Sequence, residues 1–168
     1  MSFTVTINIS KNLETEASSE EVFELLSDVA KSGSFFPKVE KLVDLGGNTW
    51  RWEMERIGIG EHTLQQSIYA CKYNACKERK TVTWIPVEEI GNATVSGKWA
   101  IMPTRYGSKA TLQSLGTLTV NMPGFLELLL SPLIRFEFEN LVDRYITNLA
   151  EEFEQHANRS SSSIFPET

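Results

Sequence analysis

The sequence predicts an α+β chain in which a curved, seven-stranded antiparallel sheet is closed by one long helix near the C-terminus. Three observations predict it. Between Pro132 and Gln155, the residues Ile134, Phe138, Leu141, Tyr145, Leu149 and Phe153 recur at steps of three or four, so six large apolar side chains share one helical face. At the other end, Phe3, Val5, Ile7 and Ile9 alternate with Thr4, Thr6 and Asn8, the period of a strand with one buried face. From Val39 to Met122, strand-like runs follow one another across turn signals with no second long helical pattern among them. A helix on the order of 35 Å long needs a broad apolar partner, and a sheet curving around it supplies one.

Taken in order, the first strand is followed by Ser18-Ser19-Glu20-Glu21, a capping box that opens a helix carrying Val22, Phe23, Leu25 and Leu26. A second short helix or turn spans Lys31 to Pro37 and ends at the proline. The remaining strands are read as Val39 to Leu45, Thr49 to Ile57 after the Gly46-Gly47-Asn48 turn, Glu61 to Tyr73, Thr81 to Val87, Thr94 to Pro103 and Lys109 to Met122. Ser131 and Pro132 read as the N-cap and first residue of the long helix, with Phe125 to Leu130 a separate turn of helix set at an angle to it. Arg135, Glu137, Glu139, Asp143, Arg144, Glu151 and Glu152 form the charged back of that helix, which suits water and not a bilayer. One domain is expected over residues 1–157, and a loose tail over 158–168 that contains the serine run Ser160 to Ser163.

Composition narrows the function. A net charge of −6 argues against a nucleic-acid surface. Cys71 and Cys76 are too few for a disulfide framework or a metal cage and fit a reducing compartment; a disulfide between them is the lesser reading. Met1 to Ser10 lacks a basic segment followed by an apolar block, and no apolar run approaches membrane length, so a cytoplasmic protein without stable membrane insertion is expected. Asn92-Ala93-Thr94 matches a glycosylation sequon, which has no role in such a protein.

The order of elements from Phe3 to Gln155 resembles the helix-grip fold of the START and polyketide-cyclase superfamily. Phe36-Pro37-Lys38-Val39-Glu40, the glycine before Lys98-Trp99 and the closing Tyr145-Ile146-Thr147-Asn148-Leu149 look most like the G-type accessory proteins of carbon monoxide dehydrogenase, alongside polyketide cyclase/dehydrase-like members. The resemblance implies a hydrophobic cavity between the sheet and the long helix. It also implies, from the carbon monoxide dehydrogenase group, an accessory role for a partner enzyme complex.

Alternation identifies the residues that would face such a cavity. Trp50, Trp52 and Met54 share one face of their strand, with Arg51, Glu53 and Glu55 on the other. By the same count His62, Leu64, Gln66 and Ile68 align, as do Val82 and Trp84; Val95, Gly97, Trp99 and Ile101; and Leu112, Ser114, Leu118 and Val120. With Phe138, Leu141 and Tyr145 of the long helix, the expected ligand-binding set is Trp50, Trp52, Met54, His62, Leu64, Gln66, Trp84, Trp99, Ile101, Leu112, Ser114, Phe138, Leu141 and Tyr145. All four tryptophans fall on inner faces; they either fill a solid core or, being bulky, leave a ligand-sized gap. His62 and Gln66 are the polar groups that would orient a ligand, unless His62 sits at the rim and bonds to solvent. Arg56 joins the cavity mouth if the Ile57-Gly58-Ile59-Gly60 segment carries a bulge, while Phe35 and Tyr106 border the entrance or cover the core.

The catalytic inventory is thin. His62 and His156 are the only histidines, and no nucleophile elbow, zinc motif or phosphate-cradling glycine loop is present, so no cofactor or metal is expected. Glu53 and Glu55 are paired carboxylates, but on the outward face. The reading is therefore a protein that binds a hydrophobic small molecule or lipid, for carriage or sequestration. The enzyme alternative is a polyketide cyclase, aromatase or dehydratase with His62 as its catalytic candidate, helped by Gln66 and Arg56. A tryptophan in place of Gly97 is expected to fill the cavity and abolish uptake while the fold survives.

Overall fold

The structure, a computed structural model, describes the backbone of residues 1–59 and 62–164, and the side chains within these ranges except at 57–59, 62–65, 157 and 159–164. Strand β1 (Phe3–Thr15) buries Phe3, Val5, Ile7, Ile9 and Leu13 and exposes most of the alternate positions, as its period requires. Helix α1 (Ser19–Ser27) opens on Ser18, whose hydroxyl accepts from the Glu21 amide at 3.2 Å. Asp28 then ends α1 and caps α2 (Val29–Gly33) by accepting from the Lys31 amide at 3.1 Å. Strands β2 (Val39–Gly46), β3 (Thr49–Met54), β4 (Ile57–Ile59), β5 (His62–Gln65), β6 (Ile68–Cys76), β7 (Thr81–Pro86), β8 (Ala93–Thr104) and β9 (Gly107–Val120) follow, and α3 (Glu127–Ile164) closes the chain.

Seven of these strands form one antiparallel sheet in the order β1-β9-β8-β7-β6-β3-β2, so the seven strands expected from the sequence are all present in it. Its concave face receives α1, which packs on β7, β8 and β9, and α3, which lies against β1. On α3, Ile134, Leu141, Tyr145, Leu149 and Phe153 are buried and Phe138 half-buried, the face that the periodicity identifies. Lys11 of β1 reaches Asp143 at 2.9 Å and Glu139 at 3.1 Å, and Lys38 reaches Glu137 at 2.9 Å. These exposed pairs fix the lie of α3 more than they stabilise it.

Two expectations need correction. The segment from Glu61 to Tyr73 is not one strand, because the chain leaves the main sheet after Met54, pairs with itself as the β4-β5 ribbon, and rejoins at Ile68. Asn92 clamps the rejoining point: its side-chain carbonyl accepts from the Ile68 amide at 2.9 Å, and its amide donates to the Gln66 carbonyl at 2.7 Å. The sequon asparagine is thus committed to a structural task.

The second correction concerns Ser131 and Pro132, which do not start the long helix. Helix α3 begins at Glu127, after a short 3₁₀ turn at Gly124–Leu126, and runs through Pro132 for 38 residues in all, reaching into the segment expected as a tail. Ser131 is buried in it and is no cap. Helix formation prevails because Leu130, Ile134 and Leu141 are buried together on the inner face, whereas the proline forfeits only the one bond to the Leu128 carbonyl. Replacing the exposed Pro132 by alanine is expected to stabilise the protein by about 1–3 kcal/mol, read as a higher urea midpoint at an unchanged slope. No gain would mean that the Leu128 carbonyl is as well served by water. On the solvent side of the same stretch, Phe125, Leu128, Leu129, Leu133 and Phe136 are exposed, Leu128 by 91%. No helix among the described residues is long and apolar enough to cross a membrane.

Candidate functional site: a cavity between sheet and helix

A cavity with about 130 Å³ of room for the centres of water-sized spheres lies between the concave sheet and α3. The strands supply its aromatic wall, because cross-strand neighbours in an antiparallel sheet point the same way: Trp52 sits opposite Tyr69, Tyr73 opposite Trp84, and Trp99 opposite both Val82 and Leu112. Trp52 and Tyr69 stack at 6.0 Å with their planes 11° apart, and Tyr73 meets Trp84 at 5.8 Å. The opposite wall is Phe138, Val142 and Tyr145 of α3, and Phe36 after α2 closes against the Tyr145 ring at 5.1 Å.

The polar groups in this wall are nearly all hydroxyls. Tyr145 and Ser32 share a short hydrogen bond between their oxygens, which ties α3 to α2. The Trp52 indole donates to the Tyr73 phenol at 2.9 Å, and the Ser114 hydroxyl donates to the Ser96 carbonyl at 3.3 Å. Ser67 lies buried in the wall with no partner for its hydroxyl. No Asp, Glu, Lys, Arg or His lines the cavity among the described residues.

Burial raises every titratable group here. Tyr145 is pushed up to about 12 by burial, against the pull of its bonds with Ser32 and Trp99. Tyr69 and Tyr73 are driven further above the ordinary phenol range, by burial first and then by neighbouring Cys71. Burial likewise lifts the Cys71 thiol to about 12, offset in part by a hydrogen bond from Tyr73. Tyr69 keeps part of its surface open, yet its phenol is desolvated as in a core; that open surface therefore faces the cavity and not bulk water.

These shifts set a pH dependence. A folded pKa above the unfolded one means that the native state holds its proton longer, so the stabilisation is complete below the unfolded pKa and is lost as pH rises through the folded value. The urea midpoint is expected to hold through pH 8 and to fall steeply from about 9, where Cys71 begins to titrate in the unfolded chain, to about 12. Tyr69→Phe should make that decline shallower; an unchanged alkaline profile would show the phenol to be solvated.

No protein-family profile and no curated protein sequence matches the chain. Solved structures do. The di-domain ARO/CYC StfQ from the steffimycin biosynthetic pathway superimposes with a TM-score of 0.62 at 14% identity, over 92% of this chain and 52% of that one, so this chain spans about half of that protein's length. A START superfamily protein from Mycobacterium smegmatis gives a TM-score of 0.61 at 16% identity, over 88% of this chain and 97% of the other. This chain has the START/polyketide-cyclase fold. Norcoclaurine synthase from Thalictrum flavum, in complex with dopamine and hydroxybenzaldehyde, shares it with a TM-score of 0.54 at 21% identity, over 89% of this chain and 88% of that one. At such identities the likeness is one of fold.

Within this helix-grip chain, Trp52, Trp84, Trp99, Leu112, Ser114, Phe138 and Tyr145 line the cavity as their alternation and helical spacing predict. Met54 and Leu141 lie instead in a second pocket of about 220 Å³, with Lys38, Glu55, Arg56 and Glu137, and Phe138 is common to both. Arg56 is thus at a neighbouring charged pocket and exposed. Ile101 is buried in the core outside the cavity wall, and Trp50 is half-buried beyond it. Gln66 does not face the cavity; its amide donates to Glu40 and to the Met54 carbonyl, both at 3.1 Å. The side chains of His62 and Leu64 lie outside the described residues. Phe35 packs at the edge of the core and its carbonyl accepts from Asn148, while Tyr106 is 78% exposed on the β8-β9 turn.

The wall residues that alternation missed are Ser67, Tyr69 and Tyr73, because the interruption at residues 66 and 67 shifts the parity of β6. The pairing of Trp52 with Tyr69 was the signal: if the tryptophan faces inward, so must its partner. Gly97 also differs from expectation. A side chain there would meet the Trp84 ring at 2.3 Å and the Gln113 carbonyl at 2.7 Å, so the glycine is a seat for the indole and not an open floor.

Proposed function

We propose that this helix-grip chain binds a hydrophobic small molecule or lipid in the cavity between its sheet and α3, for carriage or sequestration. The observation that carries the reading is the cavity itself, walled by Phe36, Trp52, Tyr69, Trp84, Trp99 and Phe138 at a place where a solid core would have closed. Burial against those rings supplies affinity and the hydroxyls supply orientation. A cyclase or dehydratase needs an acid or base that exchanges protons near neutral pH. The described wall offers phenols held far above that range, and the cyclase reading rests on His62 alone.

Native mass spectrometry of the purified protein, followed by organic extraction, tests the reading, together with a fluorescence titration with N-phenylnaphthylamine as a neutral apolar probe. A stoichiometric hydrophobic adduct, or saturable probe uptake, supports it. A clean mass with no probe uptake would sink it.

A further inference from the structure

We infer that the cavity selects an uncharged, ring-bearing molecule whose polar atom is a hydrogen-bond acceptor, such as a carbonyl oxygen, and that Ser67 and Tyr69 are the groups that read it. This rests on the binding role proposed above and narrows it to a ligand class.

The argument is an account of the wall's hydrogen bonds. Ser32 and Tyr145 satisfy one another, the Trp52 indole is spent on Tyr73, and Ser114 is spent on the Ser96 carbonyl. Two hydroxyls remain. The Ser67 oxygen has no partner, and the Tyr69 phenol makes no hydrogen bond among the described residues. An unpaired hydroxyl in a buried wall is costly, and native structures rarely keep one without a use. These two lie two residues apart, so alternation puts them on one face, and both line the cavity. The phenol ring is held by stacking on Trp52, and the serine hydroxyl turns about a single bond.

Both groups are neutral donors at any physiological pH, so they call for an acceptor. The described wall carries no charged side chain, so a carboxylate or ammonium entering it would be stripped of water with no counter-ion. The rings of Trp52, Trp84 and Trp99 offer edges and faces that a flat ring meets more fully than a flexible chain does. A neutral ring with an exposed carbonyl satisfies all three conditions.

The test uses fluorenone and fluorene, flat tricycles that differ by one carbonyl oxygen, each titrated as a competitor of bound N-phenylnaphthylamine, with fluorene carboxylate as the charged counterpart. In Tyr69→Phe and in Ser67→Ala the preference for fluorenone over fluorene should fall by about threefold to tenfold, with fluorene affinity unchanged. Fluorene carboxylate should bind the unaltered protein at least about tenfold more weakly than fluorenone. Ser67→Ala should also raise the melting temperature of the empty protein by about 2–4 °C, because it deletes the unpaired hydroxyl; this shows the variant to be folded while it binds less well. If both tricycles bind and their ratio is the same in both variants, or if the carboxylate binds as tightly as the ketone, the inference is overturned and the binding role stands. If neither tricycle nor the probe enters, the binding role fails and the inference with it.

Discussion

Gly116→Phe is expected to abolish uptake of N-phenylnaphthylamine, by about a hundredfold or more in apparent affinity, while the protein stays folded. Gly116 lines the cavity from β9, and a Cβ placed on it meets nothing nearer than 3.9 Å. Its backbone is extended, with Ile7 and Val95 as cross-strand neighbours, so a phenylalanine is accepted by the strand and its ring enters the space that a ligand would use. About a hundredfold corresponds to about 2.7 kcal/mol, close to what burial of a single large apolar group contributes. Gly97 on β8 faces the same way yet is unsuitable, since its substitution collides with Trp84 and would unfold the wall before filling it. A fluorescence titration beside a thermal melt separates the two variants. Full uptake by a well-folded Gly116→Phe protein would place the binding site elsewhere, the charged pocket beside Phe138 being the next place to look.

Leu149→Ala should cost about 3–5 kcal/mol, read as a lower urea midpoint at constant slope. Leu149 is wholly inaccessible and sits on the inner face of α3 between Tyr145 and Phe153, both buried in the same apolar cluster. The chain holds this helix through the apolar face, since the ion pairs of Lys11 and Lys38 are exposed and worth little. Against a typical total of about 5–15 kcal/mol, the loss would leave a marginal protein. Leu128→Ala on the same helix, where the side chain is 91% exposed, is expected to change stability by no more than about 0.5 kcal/mol. Equal costs at the two leucines would mean that α3 presents a different face to the sheet.

What the sequence by itself determined is whatever depends on local periodicity. The buried face of α3, the inner side of β1, the Ser18 cap and the seven strands of the sheet all follow from repeats of 3.6 and 2 within single elements. The inward set of Trp52, Trp84 and Trp99 was legible for the same reason. Pro132 read as a helix start because local preference favours that; burial of Leu130 and Ile134 on either side kept it inside the helix instead.

Only the tertiary structure decided the polar character of the cavity. The excursion through the β4-β5 ribbon interrupts the alternation between Gln65 and Ile68, so a count begun on one side points to Gln66, whereas pairing with β3 turns Ser67, Tyr69 and Tyr73 inward. The contributions of Ser32 and Phe36 come from turns with no period to read, and they reach the cavity only because α2 is folded back beneath Tyr145. Alternation is a property of an unbroken strand; once the strand breaks, the face of each residue is set by the neighbour to which it is hydrogen-bonded, and that neighbour is distant in sequence.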